Sequence, residues 1–426
     1  MIKITPNKLS GELNSVSSKS FAHRALICAA FADDETQIFM PDICDDVAAT
    51  VDCLKKLGAV FERKEEYICV FPIDYSKKKL EHNEMLTFDV CESGSTLRFI
   101  LPVAMSVMDS AKFISNTSLA KRPLVDLMSA MKSCKVEFSK DTLPFVAKNR
   151  FLFSDISIGG NVTSQYISGL LLSAPLQNND LKINIDGKIT SRPYVDITLQ
   201  IMRDFGVEIN EDYDGFSLEK NSKYISPKIY NIEGDFSSSA FFLVAGTFSD
   251  TGVELCGLTM TSLQGDKKIL NILKDFGADV HVSGKKVKVS KNKSHPILVD
   301  AENIPDLVPV LAVLACGAKG KSVLKNVERL RYKESNRIQT TIGLINSLGG
   351  YAYEEGDSII IDGKGKLSGG VVKTQSDHRI AMSGAIASII CSGDVFIDNE
   401  KVVSKSYVGF FEDFCRLGGK YVFFNR

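Results

Sequence analysis

The sequence predicts a mixed α/β protein of two similar halves, each built from three repeats packed around buried, roughly parallel helices. Three observations carry this: a recurring helix end, a recurring apolar helix with a polar start, and strand-like stretches between them.

The helix end recurs six times. The segments are LKKLGAVF from Leu54, MKSCKVEF from Met131, MRDFGVEI from Met202, LKDFGADV from Leu273, INSLGGYA from Ile345 and FCRLGGKY from Phe414. Five place glycine after the last helical turn, at Gly58, Gly206, Gly277, Gly349 and Gly418; the second has Lys135 there. The last four glycines are spaced by 71, 72 and 69 residues. Glycine supplies the left-handed residue that stops a helix.

A second helix keeps the same period, starting near Ser20, Ser95, Thr163, Ser237, Asp306 and Asp377. Each start is small, polar or acidic, as capping requires, and the body is apolar, as in ISGLLLSAPL and AFFLVAGTF. A helix apolar on nearly all sides is a buried one. KINIDG, VELCGL and VFIDNE read as strands between the helices. One unit cannot bury its apolar helix alone; three make a domain, and six make two. Helix starts gathered at one end of a domain present amide groups and partial positive charge, which favour anions.

The bulk composition limits the partners. The chain of 426 residues is 44% hydrophobic and 24% charged, with 51 basic against 52 acidic residues and a net charge of -1. No global basic excess points to nucleic acid and no basic run to a membrane surface, so a bound anion needs locally clustered cations. Ile304 to Ala318, the most apolar stretch, contains Asp306 and is too short to span a bilayer. MIKITPNKLSGEL shows no signal-peptide core, and ten scattered cysteines without a C-x-x-C pair fit reduced thiols in a cytoplasm. The five histidines form no metal-ligand pattern, and neither a P-loop nor a G-x-G-x-x-G stands in the right context.

Cations do cluster at the helix starts. SSKSFAHRAL puts Lys19, Ser20 and Arg24 at the first; the second holds Gly94, Ser95 and Arg98. Thr163-Ser164-Gln165, Pro305-Asp306 and Asp377-His378-Arg379 open three others. Arg122, Arg192 and Lys405 stand 13, 14 and 13 residues before the helix-end position of their repeats, the first two followed by a proline expected to open a helix. RYKESNR supplies Lys333, Glu334 and Arg337. Asp306 and Glu334 lie among these cations. Acids there repel an anionic ligand, which makes sense if they move protons; the plainer alternative is that Asp306 caps its helix and Glu334 pairs with Lys333. His378 is open between a structural role and orienting an acid. A six-unit structural ring such as a sliding clamp would need only an unspecialised lysine lining.

SSKSFAHRAL, SGSTLR, LAKRPLVDL, TSQYISGLLLSAPL, ITSRPYVDIT, EGDFSSSAFF, NIPD, RYKESNR, SDHRIAM and SKSY together resemble the enolpyruvyl transferases, and among them the EPSP synthases, over nearly the whole chain. The resemblance implies two domains of three βαβαββ units (an inside-out α/β barrel), residues 18–233 and residues 1–17 with 234–426, the first strand being traded near Val16 and Glu233 and the ligands lying in the cleft. It implies transfer of the enolpyruvyl group of phosphoenolpyruvate to the 5-hydroxyl of 3-phosphoshikimate, through a tetrahedral ketal phosphate, in aromatic amino acid biosynthesis. It implies a cytoplasmic monomer with no metal or organic cofactor and no nucleic-acid or membrane partner.

Carried over by position, Lys19, Ser20, Arg24, Thr163, Ser164, Gln165, Ser191, Asp306 and Lys333 are expected at 3-phosphoshikimate. Lys19, Gly94, Arg122, Gln165, Arg337, Arg379 and Lys405 are expected at phosphoenolpyruvate, with Gly94 leaving room for glyphosate. Asp306 resembles the base, Glu334 the acid, and Lys19 the group touching both ligands. Four positions depart from the family pattern: Glu92-Ser93 replaces asparagine-alanine, Arg329 replaces a frequent asparagine, and Arg192 replaces lysine. The sister transferase acting on UDP-N-acetylglucosamine carries a reactive cysteine in the loop that here reads SNTSLAKRP.

Overall fold

The computed structural model describes residues 1–73, 85–116 and 119–424. They form two compact units, one of Ser17–Ile232 and one of Met1–Val16 with Glu233–Arg426. Each has its own hydrophobic core.

Each repeat contributes two helices. In the first unit these are α1 (Lys19–Ala30) and α2 (Asp45–Leu57), α3 (Gly94–Val107) and α4 (Val125–Ser133), and α5 (Ser164–Ser173) and α6 (Arg192–Asp204). In the second they are α7 (Phe236–Gly246) and α8 (Ile269–Phe276), α9 (Val308–Cys316) and α10 (Arg337–Ser347), and α11 (His378–Ala387) and α12 (Phe410–Arg416). The first member of each pair is the apolar one; every residue of α9 is buried. In the first unit α5 lies so close to α3 that a Cβ on Gly169 would stand 2.2 Å from the Arg98 carbonyl oxygen. Only glycine permits that approach.

All six helix ends share one hydrogen-bond pattern. After α2 the amide of Gly58 donates to Lys55 O (2.9 Å) and that of Ala59 to Leu54 O (3.1 Å). The same pair of bonds follows α4, α6, α8, α10 and α12. This is the Schellman motif, and its first donor must be left-handed. The five glycines have φ from +75° to +107°, and Lys135 adopts +68° despite its side chain. The chemistry of the repeat thus survives where its residue does not.

Among the described residues, six four-stranded sheets accompany the helices. In the second repeat Leu86–Asp89 runs parallel to Ser110–Ile114, which pairs antiparallel with Phe145–Lys148, itself antiparallel to Glu137–Phe138. The other five sheets keep this plan. The exchange of strands is wider than the single early strand expected. Gly11–Asn14, just before α1, joins Val253–Cys256 in the fourth repeat, while Ile229–Asn231, just before α7, joins Thr36–Phe39 in the first. Ile2–Thr5 fills the sixth sheet between Val395–Ile397 and Lys420–Phe423.

Two expected helix starts fall elsewhere. Arg122 and Pro123 follow a 3-10 turn, Leu119–Lys121, and α4 opens only at Val125. The Pro123 carbonyl accepts from Arg98 Nη2 (3.1 Å) and Tyr166 Oη (2.7 Å) and so serves α3 and α5 rather than a helical amide. Lys405 closes the 3-10 turn Lys401–Lys405, and α12 begins after left-handed Gly409.

Candidate functional site

In the first unit the starts of α1, α3, α5 and α6 gather polar side chains. Lys19 Nζ pairs with Asp46 Oδ2 at 2.9 Å, both side chains less than a fifth exposed. Arg24 lies beneath: Nε donates to Thr198 Oγ1 (2.6 Å), Nη1 to Ser20 O (2.7 Å), and Nη2 to Ser168 Oγ (3.2 Å) and Tyr194 O (3.1 Å). Its guanidinium stands 4.8 Å from the centre of the Phe99 ring, and burial draws its pKa down to about 10. Arg24 therefore ties α1 to α5 and α6 and backs Ser20.

At α3 the Ser93 hydroxyl accepts from Thr96 N (3.2 Å), which gives the departure from alanine a capping role. Gly94 follows. A Cβ there would meet Arg98 Nη1 at 2.5 Å and Arg122 Nη1 at 3.1 Å, so glycine lets two guanidinium groups approach the helix start. Arg98 Nη1 donates to Gln165 Oε1 (3.0 Å), and Gln165 Nε2 to Ser95 Oγ (2.9 Å). These bonds fasten α3 to α5 at the same end. Thr163 Oγ1 caps α5 by accepting from Gln165 N (3.3 Å), and Ser164 beside it is buried. Ser191, buried before α6, holds φ +53° and ψ +43°. A left-handed serine costs about 1–3 kcal/mol and is a mark of functional loops.

Arg192 does not join the cluster. Its Nε meets Asp196 Oδ1 (2.6 Å), and Nη1 and Nη2 grip Glu211 at 2.6 and 2.7 Å. Two carboxylates already satisfy it, which corrects its inclusion among the converging cations. Thr117 and Ser118 of the SNTSLAKRP loop lie outside the described residues.

In the second unit the cluster centres on Arg337, which is 1% exposed. Nη1 donates to Asp306 Oδ1 (2.8 Å), Nε to Asp377 Oδ2 (2.9 Å), and Nη2 to Glu334 Oε2. Burial alone would lower its pKa; Asp377, Glu334 and Asp306 outweigh that and raise it. Asp306 stands in the turn Pro305–Leu307 just before α9. Lys333 Nζ is 3.4 Å from its Oδ1 and Arg379 Nη2 3.3 Å from its Oδ2. Burial would raise the Asp306 pKa, but Arg379, Lys333 and Arg337 hold it well below the usual carboxylate range. Burial lowers that of Lys333, with Arg337 and Arg329 adding to it.

Asp306 faces three cations, and Glu334 pairs with Arg337 while its charge also acts on Lys333. Asp377 is fully buried, caps α11 through Arg379 N (3.0 Å) and accepts from Ser335 Oγ (3.0 Å). His378, the first residue of α11, is buried. Lys405 Nζ donates to Ser376 O (2.7 Å). Three acids on these cations escaped the sequence assignment: Asp46, Asp377 and the buried Asp266. For Asp46 and Asp377 the signal was an acid at the start of a helix in a chain otherwise rich in cations at such starts.

Among the described residues, Glu12, Glu254 and Cys256 alone lie close enough to share a metal ion. Lys286 Nζ already bonds both glutamates at 3.1 Å. No helix among the described residues is long and apolar enough to cross a membrane.

A family described as EPSP synthase (3-phosphoshikimate 1-carboxyvinyltransferase) matches residues 4–414. The 3-phosphoshikimate 1-carboxyvinyltransferase of Clostridium novyi is 39% identical, covering 98% of this chain and 97% of its own. That of Clostridioides difficile is 37% identical, covering 98% of each. The solved EPSP synthase of Acinetobacter baumannii superposes with a TM-score of 0.80 at 23% identity, covering 99% of each chain. The enolpyruvyl transferase NikO of Streptomyces tendae gives 0.76 at 17%, covering 99% and 98%. The fold agrees with both solved structures, and the chain belongs to the EPSP synthase family of 3-phosphoshikimate 1-carboxyvinyltransferases.

Proposed function

We propose that this chain joins phosphoenolpyruvate to the 5-hydroxyl of 3-phosphoshikimate, releasing phosphate. The observation that carries this reading is the pair of acids, Asp306 and Glu334, bound to Arg337, Arg379 and Lys333. Family membership supplies the substrates.

Ser20, Thr163, Ser164, Gln165 and Ser191 take 3-phosphoshikimate, backed by Arg24; Lys333 and Asp306 complete its set. Gly94, Arg122, Gln165, Arg337, Arg379 and Lys405 take phosphoenolpyruvate, and Lys19 serves both. Asp306 is ionised in the free protein, so it is ready to accept the hydroxyl proton. Anionic ligands arriving on its cations would offset their field and raise its basicity. Glu334 protonates the methylene carbon, the 5-oxygen attacks the resulting oxocarbenium-like centre, and the tetrahedral ketal phosphate forms. Loss of phosphate and one methyl proton restores the double bond. Fixed cations stabilise the departing phosphate without reorganising.

The enzyme works as a monomer and in the cytoplasm, the compartment being supported by ten cysteines without a disulfide. Phosphate release from phosphoenolpyruvate, assayed with 3-phosphoshikimate and with UDP-N-acetylglucosamine, tests the function. Release with the first alone is expected; release only with the second would overturn it.

A further inference from the structure

Asp266 lies in the 3-10 turn Gly265–Lys268 that precedes α8, and no role described so far uses it. It stands eleven residues before Gly277, near the position where other repeats carry Asp46, Arg192 and Arg337 ahead of their own helix-end glycines. It is 2% exposed. Oδ2 meets the Ser237 hydroxyl at the start of α7, while Oδ1 is buried without a hydrogen-bond partner. The charged groups acting on it are Asp306 and Asp235, which repel its anion, and Arg379, which attracts it.

A carboxylate oxygen left dry and unpaired is far more costly than a neutral carbonyl in the same place. Protonated, Asp266 places its hydroxyl on Oδ2 to donate to Ser237 Oγ and leaves Oδ1 as that neutral carbonyl.

We propose that Asp266 is a positioning residue of the second-unit cluster, keeping its proton while Asp306 stays ionised and so limiting the negative charge presented to phosphoenolpyruvate at Arg379. The inference rests on the functional reading above for the identity of that ligand. Two carboxyls driven apart in this way divide their roles, one remaining the base and the other remaining neutral. Burial first, then repulsion from Asp306, pushes the Asp266 pKa up to about 7. Above that pH the cluster gains a negative charge, and the incoming anion is repelled. One unit charge about 10 Å away, at an effective dielectric of about 20, changes affinity on the order of ten-fold.

The test has two arms. Carbon-13 NMR of aspartate carboxyls in the ligand-free chain reads Asp266 whatever the substrate proves to be. A carboxyl titrating near neutrality is expected in the parent and absent in Asp266→Asn. In the second arm, KM for phosphoenolpyruvate is followed from pH 7 to 8.5, above the second ionisation of the substrate phosphates at about 6. The parent KM should rise roughly four-fold, because about half of the carboxyl is already ionised at pH 7, with kcat moving less, and Asp266→Asn should lose most of that rise. Should Asp266→Asn fail to fold, Ser237→Ala removes the hydroxyl bound to Oδ2 and should shift the NMR midpoint of the same carboxyl. No near-neutral carboxyl in the parent, its persistence in Asp266→Asn, an unmoved midpoint in Ser237→Ala, or an unchanged KM profile in Asp266→Asn would each overturn the proposal. A normal NMR result without enolpyruvyl transfer would instead sink the functional reading alone.

Discussion

Replacing Asp306 by asparagine separates proton transfer from binding. Its carboxylate faces Arg337 at 2.8 Å, Arg379 at 3.3 Å and Lys333 at 3.4 Å. Asparagine keeps the shape and one acceptor oxygen but removes the charge and the base. A positioned general base contributes about 10²- to 10⁴-fold to rate, so kcat should fall by that factor. Binding should move the other way. With the anion gone, three cations lose a competitor for the ligand carboxylate and phosphate, so affinity should hold or improve. Phosphate release gives kcat, and calorimetric titration with each ligand gives Kd. Turnover within about three-fold of the parent would refute the base assignment, taking two orders of magnitude as the least that general-base catalysis should supply. Loss of affinity in a variant that still melts cooperatively would refute the claim that Asp306 opposes anion binding.

Acid titration checks the same carboxylate through stability. Its folded pKa lies below its unfolded value, so the stabilisation is present above about pH 4 and is lost as pH falls through the folded value. The parent should be more stable than Asp306→Asn at pH 7, by up to the roughly 3–5 kcal/mol that breaking a buried pair costs, with the gap narrowing as pH falls below about 4; parallel melting curves would contradict this. Lys135→Gly should stabilise the first unit by roughly 0.5–1 kcal/mol, because it relieves a left-handed side-chain residue at φ +68°. A higher urea midpoint with unchanged slope is the expected reading, and a lower one would count against strain there. Gly94→Ala brings a methyl to 2.5 Å from Arg98 and 3.1 Å from Arg122, forcing both to yield. Glyphosate inhibition should weaken, and KM for phosphoenolpyruvate should rise roughly ten-fold, the equivalent of about 1.4 kcal/mol; inhibition curves that superimpose on the parent would refute the contact.

The repeat was legible because its chemistry is local. A helix needs a left-handed terminator, and glycine announces one; Lys135 could be placed only by period, since its conformation is imposed by the same two hydrogen bonds. Cations at helix starts were legible as a set, but their partners were not. Arg192 looks equivalent to Arg122 in sequence, yet Glu211, distant in the chain, claims it. Helix starts at Arg122 and Lys405 were misread because proline and short turns do not reveal which carbonyls other helices will take. Asp266 was missed for the opposite reason: its neighbours Ser237, Asp306 and Arg379 are contributed by three other segments, and nothing local marks it.

The sixth sheet imposes an order of assembly. Its third strand is Ile2–Thr5, which is synthesised long before its neighbours Val395–Ile397 and Lys420–Phe423. Ser17–Ile232 is one uninterrupted stretch and can close its own core as it emerges. The leading strand must wait, unpaired, until Phe423 arrives to meet Ile2. Such distant pairing slows folding and leaves an adhesive edge open meanwhile. Moving Ile2–Thr5 to follow Phe424 through a short linker would convert this longest-range pairing into a hairpin, and refolding of the second unit should then quicken.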